Sequence, residues 1–158
     1  MKVVLLFHIV VLAGLAGSGC YTPPQPVRTL PPPLQMPTPQ VAYQQLLEVR
    51  YFAFGGVGFA PVTSEGEMAY RAIVGSTNGL ELFSTALTNG NPHTKLYALC
   101  GLRQLAPERF EAAADSIART NSQVITASGC LVGPEPASNV VHRISHGYYD
   151  KYLTWPKS

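Results

Sequence analysis

The stretch Asn91-Pro92-His93-Thr94-Lys95-Leu96-Tyr97-Ala98-Leu99-Cys100-Gly101-Leu102 carries the clearest structural instruction in this chain. Asn91 suits an N-cap, because its short side-chain oxygen accepts amides that a helix start leaves unpaired. Pro92 suits the first turn, where its missing donor costs nothing. Leu96, Leu99 and Cys100 then fall on one face at helical spacing. Pro107 starts the next helix, which carries Phe110, Ala114 and Ile117. Working upstream, Asn78 and Glu81 form a capping pair ahead of Leu80, Phe83 and Leu87, and Gly90 closes that segment. Ser64-Glu65-Gly66-Glu67 has capping-box form, with Met68, Ala72 and Ile73 following on one face. Tyr43, Leu46, Leu47, Tyr51 and Phe54 recur at helical spacing, and Gly55 stands where that helix would stop.

Downstream the signal changes. Val124, Ile125 and Thr126 are β-branched neighbours and favour a strand. Gly133-Pro134-Glu135-Pro136 reads as a loop, and Val140 to Ile144 reads as a second short strand or a helical turn. The expected fold is therefore mainly α with minor β. It is a compact domain of about five helices with a small C-terminal β ribbon, over residues 41–158.

Composition agrees with one domain: of 158 residues, 46% are hydrophobic and only 13% charged. Over residues 41–158 nine basic side chains face nine acidic ones. That balance leaves no polybasic footprint, and nucleic-acid binding depends mostly on phosphate neutralisation. No cofactor fingerprint is present.

The first nineteen residues read as a targeting segment. Lys2 supplies a positive start and Val3 to Ala16 are almost unbroken apolar. A run of about fourteen is too short for a bilayer core of roughly 30 Å, which takes about twenty helical residues. Its length and flanks are those of a secretory signal. Leu15-Ala16-Gly17-Ser18-Gly19-Cys20 resembles the lipobox of bacterial lipoproteins. The resemblance covers the targeting segment alone, with Gly17 where that pattern most often has Leu. It implies cleavage before Cys20, acylation of Cys20 (palmitate or a similar chain) and a membrane anchor. Tyr21, in place of Asp, implies an outer-membrane lipoprotein facing the periplasm. A second reading has a different peptidase leave Cys20 as a free thiol on a secreted or soluble periplasmic protein.

Residues 20–40 read as the tether. Eight prolines lie between Tyr21 and Gln40, with Arg28 the only charge. Proline fixes φ and removes donors, so the stretch forms neither helix nor sheet interior. At about 3.1 Å per residue it holds a domain up to roughly 60 Å from its anchor. A docking ligand of PxxP type, with Pro23 and Pro26, is the alternative.

With Cys20 acylated, Cys100 and Cys130 are an even pair in an oxidising compartment, which suggests a disulfide closing a loop of about thirty residues. Two separate buried thiols are the alternative. Lys95 to Leu102 followed by a Pro-initiated helix also resembles one HEAT-type helical hairpin, over fewer than thirty residues and with no second copy.

Candidates for chemistry are sparse. Gly55-Gly56-Val57-Gly58 precedes a helix start, where glycine loops can cradle phosphate, but the rest of a nucleotide fingerprint is missing. His142 and His146 share a helical face, yet a zinc site needs a third ligand, and Glu135 and Asp150 have no characteristic spacing for it. His93 and Cys100 would lie about 10.5 Å apart along one helix, beyond reach of a nucleophile pair. The C-terminal Tyr148, Tyr149, Tyr152 and Trp155 form an aromatic tail that folds back on the helices or presents a partner-binding patch.

The sequence thus points to a tethered, non-catalytic accessory, adaptor or scaffold that binds another envelope protein. An inhibitor or immunity-type protective protein is the first alternative. A small enzyme using the glycine loop or the histidine pair is the second.

Overall fold

The computed structural model describes residues 36–153, in which seven helices and four strands follow one another. They are α1 (Pro39–Glu48), β1 (Gly56–Val57), β2 (Val62–Thr63), α2 (Glu65–Val74), α3 (Gly79–Asn89), α4 (Pro92–Leu105), α5 (Pro107–Ala118), β3 (Gln123–Ser128), β4 (Leu131–Pro136), α6 (Ala137–Ser145) and α7 (Asp150–Leu153). The class is mainly α with minor antiparallel β. Two of the helices, α6 and α7, exceed the five expected. Among the described residues no helix is long and apolar enough to cross a membrane.

Helix α4 is the centre. Thr94 and every residue from Leu96 to Leu102 are buried, and α4 packs on α3, α5, α2, α6 and β3. A helix covered on most sides is apolar nearly all round, and this one is. Gly101 makes one of these approaches feasible, because a Cβ there would sit 2.2 Å from the Phe83 ring on α3. The start of α4 also finishes the end of α1. Asn91 Oδ1 accepts the His93 and Thr94 amides, while Asn91 Nδ2 donates to the Leu47 and Val49 carbonyls. Thr94 Oγ1 donates to Leu46 O at 2.6 Å. One polar turn thus satisfies both an N-terminus and a C-terminus.

Two local expectations are corrected and one left open is resolved. Helix α1 starts earlier and ends earlier than its spacing suggests. Thr38 caps it, Pro39 and Gln40 belong to it rather than to the tether, and it stops at Glu48. Tyr51 to Phe54 is not helical: Phe52 N donates to Ile125 O (2.8 Å) and Ala127 N donates to Phe52 O (3.0 Å), a parallel bridge onto β3. Phe52, Ala53 and Phe54 are all buried there, so tertiary burial overrides the helical spacing.

Second, Gly133-Pro134-Glu135-Pro136 is strand, not loop. β4 pairs antiparallel with β3, with Ala127 opposite Val132, Ile125 opposite Pro134 and Gln123 opposite Pro136. Ile125 and Ala127 send their amides the other way, to His93 and Phe52. Their partners therefore occupy non-hydrogen-bonded positions, where a proline withholds no donor from the ladder. Of the two readings left open for Val140 to Ile144, the helical one holds: the segment lies in α6, with Val140, Val141 and Ile144 buried. Asn78 starts α3 without a side-chain cap, unlike Ser64 and Asn91.

Cys100 and Cys130 are separate thiols, which corrects the expected disulfide. A bridge needs Cα atoms within about 7 Å and converging side chains. Cys100 is wholly enclosed on α4, whereas Cys130 is exposed in the two-residue turn between Ser128 and Leu131. Burial pushes the Cys100 thiol far above its ordinary titration range.

Candidate functional site

Segment 52–58 runs beside β3 and touches it twice, at Phe52 with Thr126 and at Val57 with Gly129. Five residue steps on one side match three on the other, so the segment bulges away between these points. The bulge is held from within. Tyr97 OH accepts the Ala53 amide (2.9 Å) and donates to the Ala53 carbonyl (2.8 Å), and Ser64 Oγ donates to the same carbonyl. Gly55 N donates to Glu67 Oε2 at 2.8 Å. Glu67, almost fully buried, also pairs with Arg71 one turn on. Close approach makes this node feasible at Gly66, where a Cβ would lie 2.5 Å from the Tyr97 ring.

On the outer side the bulge opens a cleft of about 250 Å³ between Phe52–Phe54, Thr126–Ser128 and the C-terminal tyrosines. Its polar wall is an ion pair. Arg143 on α6 donates through Nη1 and Nη2 to Glu135 on β4, at 2.8 and 2.6 Å. Thr126 Oγ1 donates to Glu135 Oε1 and Arg143 Nε donates to Tyr149 OH. The Arg143 and Thr126 hydrogen bonds hold the Glu135 carboxyl below its ordinary range, and the same pair raises Arg143. Burial raises the Tyr149 phenol, against the opposing pull of Arg143.

The aromatic wall sorts the tyrosines expected as a partner patch. Tyr149 is a core residue, edge-on to Phe52 at 5.2 Å. Tyr152 is half-buried and stacked on Phe54 at 6.2 Å. Tyr148 alone is well exposed, at 62%, edge-on to Tyr149. The three line one cleft, at which Tyr148 is the most exposed of them. Trp155 and Cys20 lie outside the described residues. Arg103 pins the near end of α7 by two bonds to Asp150, at 3.0 Å each, and one to Ser145 O.

Glu135, Arg143 and Thr126 were not singled out as a set. Thr126 and Glu135 share a face of the ribbon only if β4 is recognised, and Arg143 reaches them only from α6. No spacing in the sequence encodes that meeting.

The remaining candidates sit elsewhere. In the glycine loop the Gly55 amide is taken by Glu67 and the Gly58 amide by Gly129 O, so these donors face protein acceptors rather than a phosphate. His142 and His146 stack at 4.0 Å on the exposed face of α6, with His146 Nδ1 2.8 Å from His142 O. Among the described residues no three His, Cys, Asp or Glu side chains gather to hold a metal ion. His93 Nε2 accepts the Ile125 amide at 2.9 Å, which ties α4 to β3 and turns that nitrogen away from any role toward Cys100. Burial lowers the His93 pKa.

Comparison of the chain with protein-family models, with curated proteins and with solved structures finds no match.

Proposed function

We propose that this protein is a bacterial envelope lipoprotein, held by an acylated Cys20 and a proline-rich tether, whose helical domain binds another envelope protein without catalysing a reaction. The observation that carries the binding role is the cleft at Tyr148. Its walls combine rigid aromatic rings with a fixed, hydrogen-bonded Glu135–Arg143 pair. Rings that pivot about only two bonds lose little entropy on contact, which is why aromatic anchors dominate interface energetics. At about 250 Å³ the cleft suits one inserted side chain better than a whole small-molecule ligand. The buried, strongly raised Cys100 thiol and the engaged His93 support a binding rather than a nucleophilic role.

The test places a photoreactive side chain at Tyr148 of the full protein in living cells. The proposal expects crosslinks to one envelope protein, lost when Arg143 is changed to Met. Crosslinks to many proteins in proportion to their abundance, or to none, would overturn it. If the captured protein is a toxin or hydrolase whose activity the domain blocks, the inhibitor reading replaces the adaptor reading.

A further inference from the structure

A second surface lies beside the cleft and belongs to different residues. Hairpin β1–β2 and hairpin β3–β4 are stitched at Gly129: Gly58 N donates to Gly129 O (2.8 Å) and Gly129 N donates to Gly56 O (3.1 Å). Around this joint the side chains are apolar and uncovered. Phe59 is 99% exposed, Leu131 80%, Val132 66% and Val62 59%. Leu131 and Val132 are consecutive on β4 and stand on opposite faces of the ribbon, so the two most exposed side chains, Phe59 and Leu131, each at or beside a hairpin turn, are the ones that mark an interaction surface. No charged residue occurs from Tyr51 to Ser64 or from Thr120 to Pro134. The two hairpin turns therefore carry no charge of their own.

We propose that these two hairpin tips dip into the surface of a lipid bilayer. Two features favour lipid over a protein occupant. The free edge of β4 carries Pro134 and Pro136 at its outward positions, so it cannot extend the ribbon by pairing fully with a partner's strand. Recognition there is left to apolar side chains alone, which an acyl and headgroup boundary accepts without shape matching. The length of chain before α1 supplies the second. Seventeen residues lie between Cys20 and Thr38, so an anchored domain stays within about 60 Å of the bilayer. At that range even a weak apolar contact is populated, because the tether makes it intramolecular. One weak membrane contact binds reversibly and two together hold firmly. The tips supply the second contact and fix which face the domain turns outward. This part of the argument rests on the lipoprotein reading above.

Cys130 gives a native probe, being exposed in the β3–β4 turn while Cys100 is enclosed. The mature protein, extracted from membranes, is labelled at Cys130 with an environment-sensitive thiol dye. It is then reconstituted into vesicles of phosphatidylethanolamine and phosphatidylglycerol. The expected result is a blue shift of the dye, quenching by lipid-borne spin labels and loss of quenching by aqueous iodide. Phe59→Ser and Leu131→Ser should each reverse most of that change while leaving the circular dichroism intact. A dye equally open to iodide with and without vesicles overturns the proposal. So does a dye that becomes shielded only when envelope proteins are added. The intact mass of the same sample separates the two readings. Acylated protein with a solvated dye defeats the hairpin proposal alone, and unacylated protein with a lipid-shielded dye defeats the lipoprotein reading alone.

Discussion

One segment, residues 52–62, passes through two regions that treat their surroundings in opposite ways. From Phe52 to Gly55 five of the eight polar backbone groups, both of Phe52, both of Ala53 and the Gly55 amide, meet partners on β3, Tyr97, Ser64 or Glu67. From Gly58 to Val62 the chain leaves the body and exposes Phe59 and Val62. The inner half spends its chemistry on holding a bulge and the outer half on presenting apolar side chains. Stability therefore concentrates at the inner half and interaction at the outer half.

The strongest way to break this contrast is Glu67→Ala. It removes a buried carboxylate that serves the Gly55 amide and Arg71, and because Arg71 keeps part of its surface in water the loss falls at the low end of the range for breaking a buried pair, about 3 kcal/mol. Denaturant unfolding should show a large drop in midpoint, and an unchanged midpoint would deny the node its role. Next comes Tyr97→Phe, which leaves the buried Ala53 amide without its acceptor and costs about 1–3 kcal/mol. Tyr70 is the control. Its hydroxyl is fully buried with no hydrogen-bond partner among the described residues, so Tyr70→Phe should be neutral or stabilising in the same assay.

Acid sharpens the comparison at the β3–β4 ribbon, which His93 meets at the Ile125 amide and Glu135 meets at Thr126. The His93 pKa lies below its ordinary 6.5, so its share of stability is complete above that value and is lost as pH falls below it. The Glu135 pKa lies below its ordinary 4.5, so its share persists to lower pH and is lost as pH falls below 4.5. Urea titrations from pH 8 to pH 3.5 should therefore show two successive declines, and Glu135→Gln should remove the lower one. The smallest effect on folding belongs to Phe59→Ser, within about 0.5 kcal/mol of the parent. A larger loss would mean that the hairpin tip is packed rather than presented.

The fold was legible where the signal was local. Ser64, Asn91-Pro92 and Pro107 mark helix starts by chemistry that acts within one turn, and those helices form where expected. The reading failed where a partner elsewhere in the chain decides. Phe54 continues a helical spacing on paper but is claimed by the core beside Tyr97 and Tyr70. Pro134 and Pro136 argue against a strand until their edge positions are known. Of the cleft, the tyrosines were visible as an aromatic cluster. The Glu135–Arg143–Thr126 set was not, because it exists only after α6 folds back on the ribbon.

The most direct test of the whole account is the intact mass of the mature protein taken from cell membranes, with thiol alkylation before and after denaturation and without reductant. The account predicts a chain beginning at Cys20 with acyl chains attached, one thiol alkylated in the native state at Cys130, and a second at Cys100 only after unfolding. A chain without acyl mass, or two thiols that react only after reduction, would contradict it.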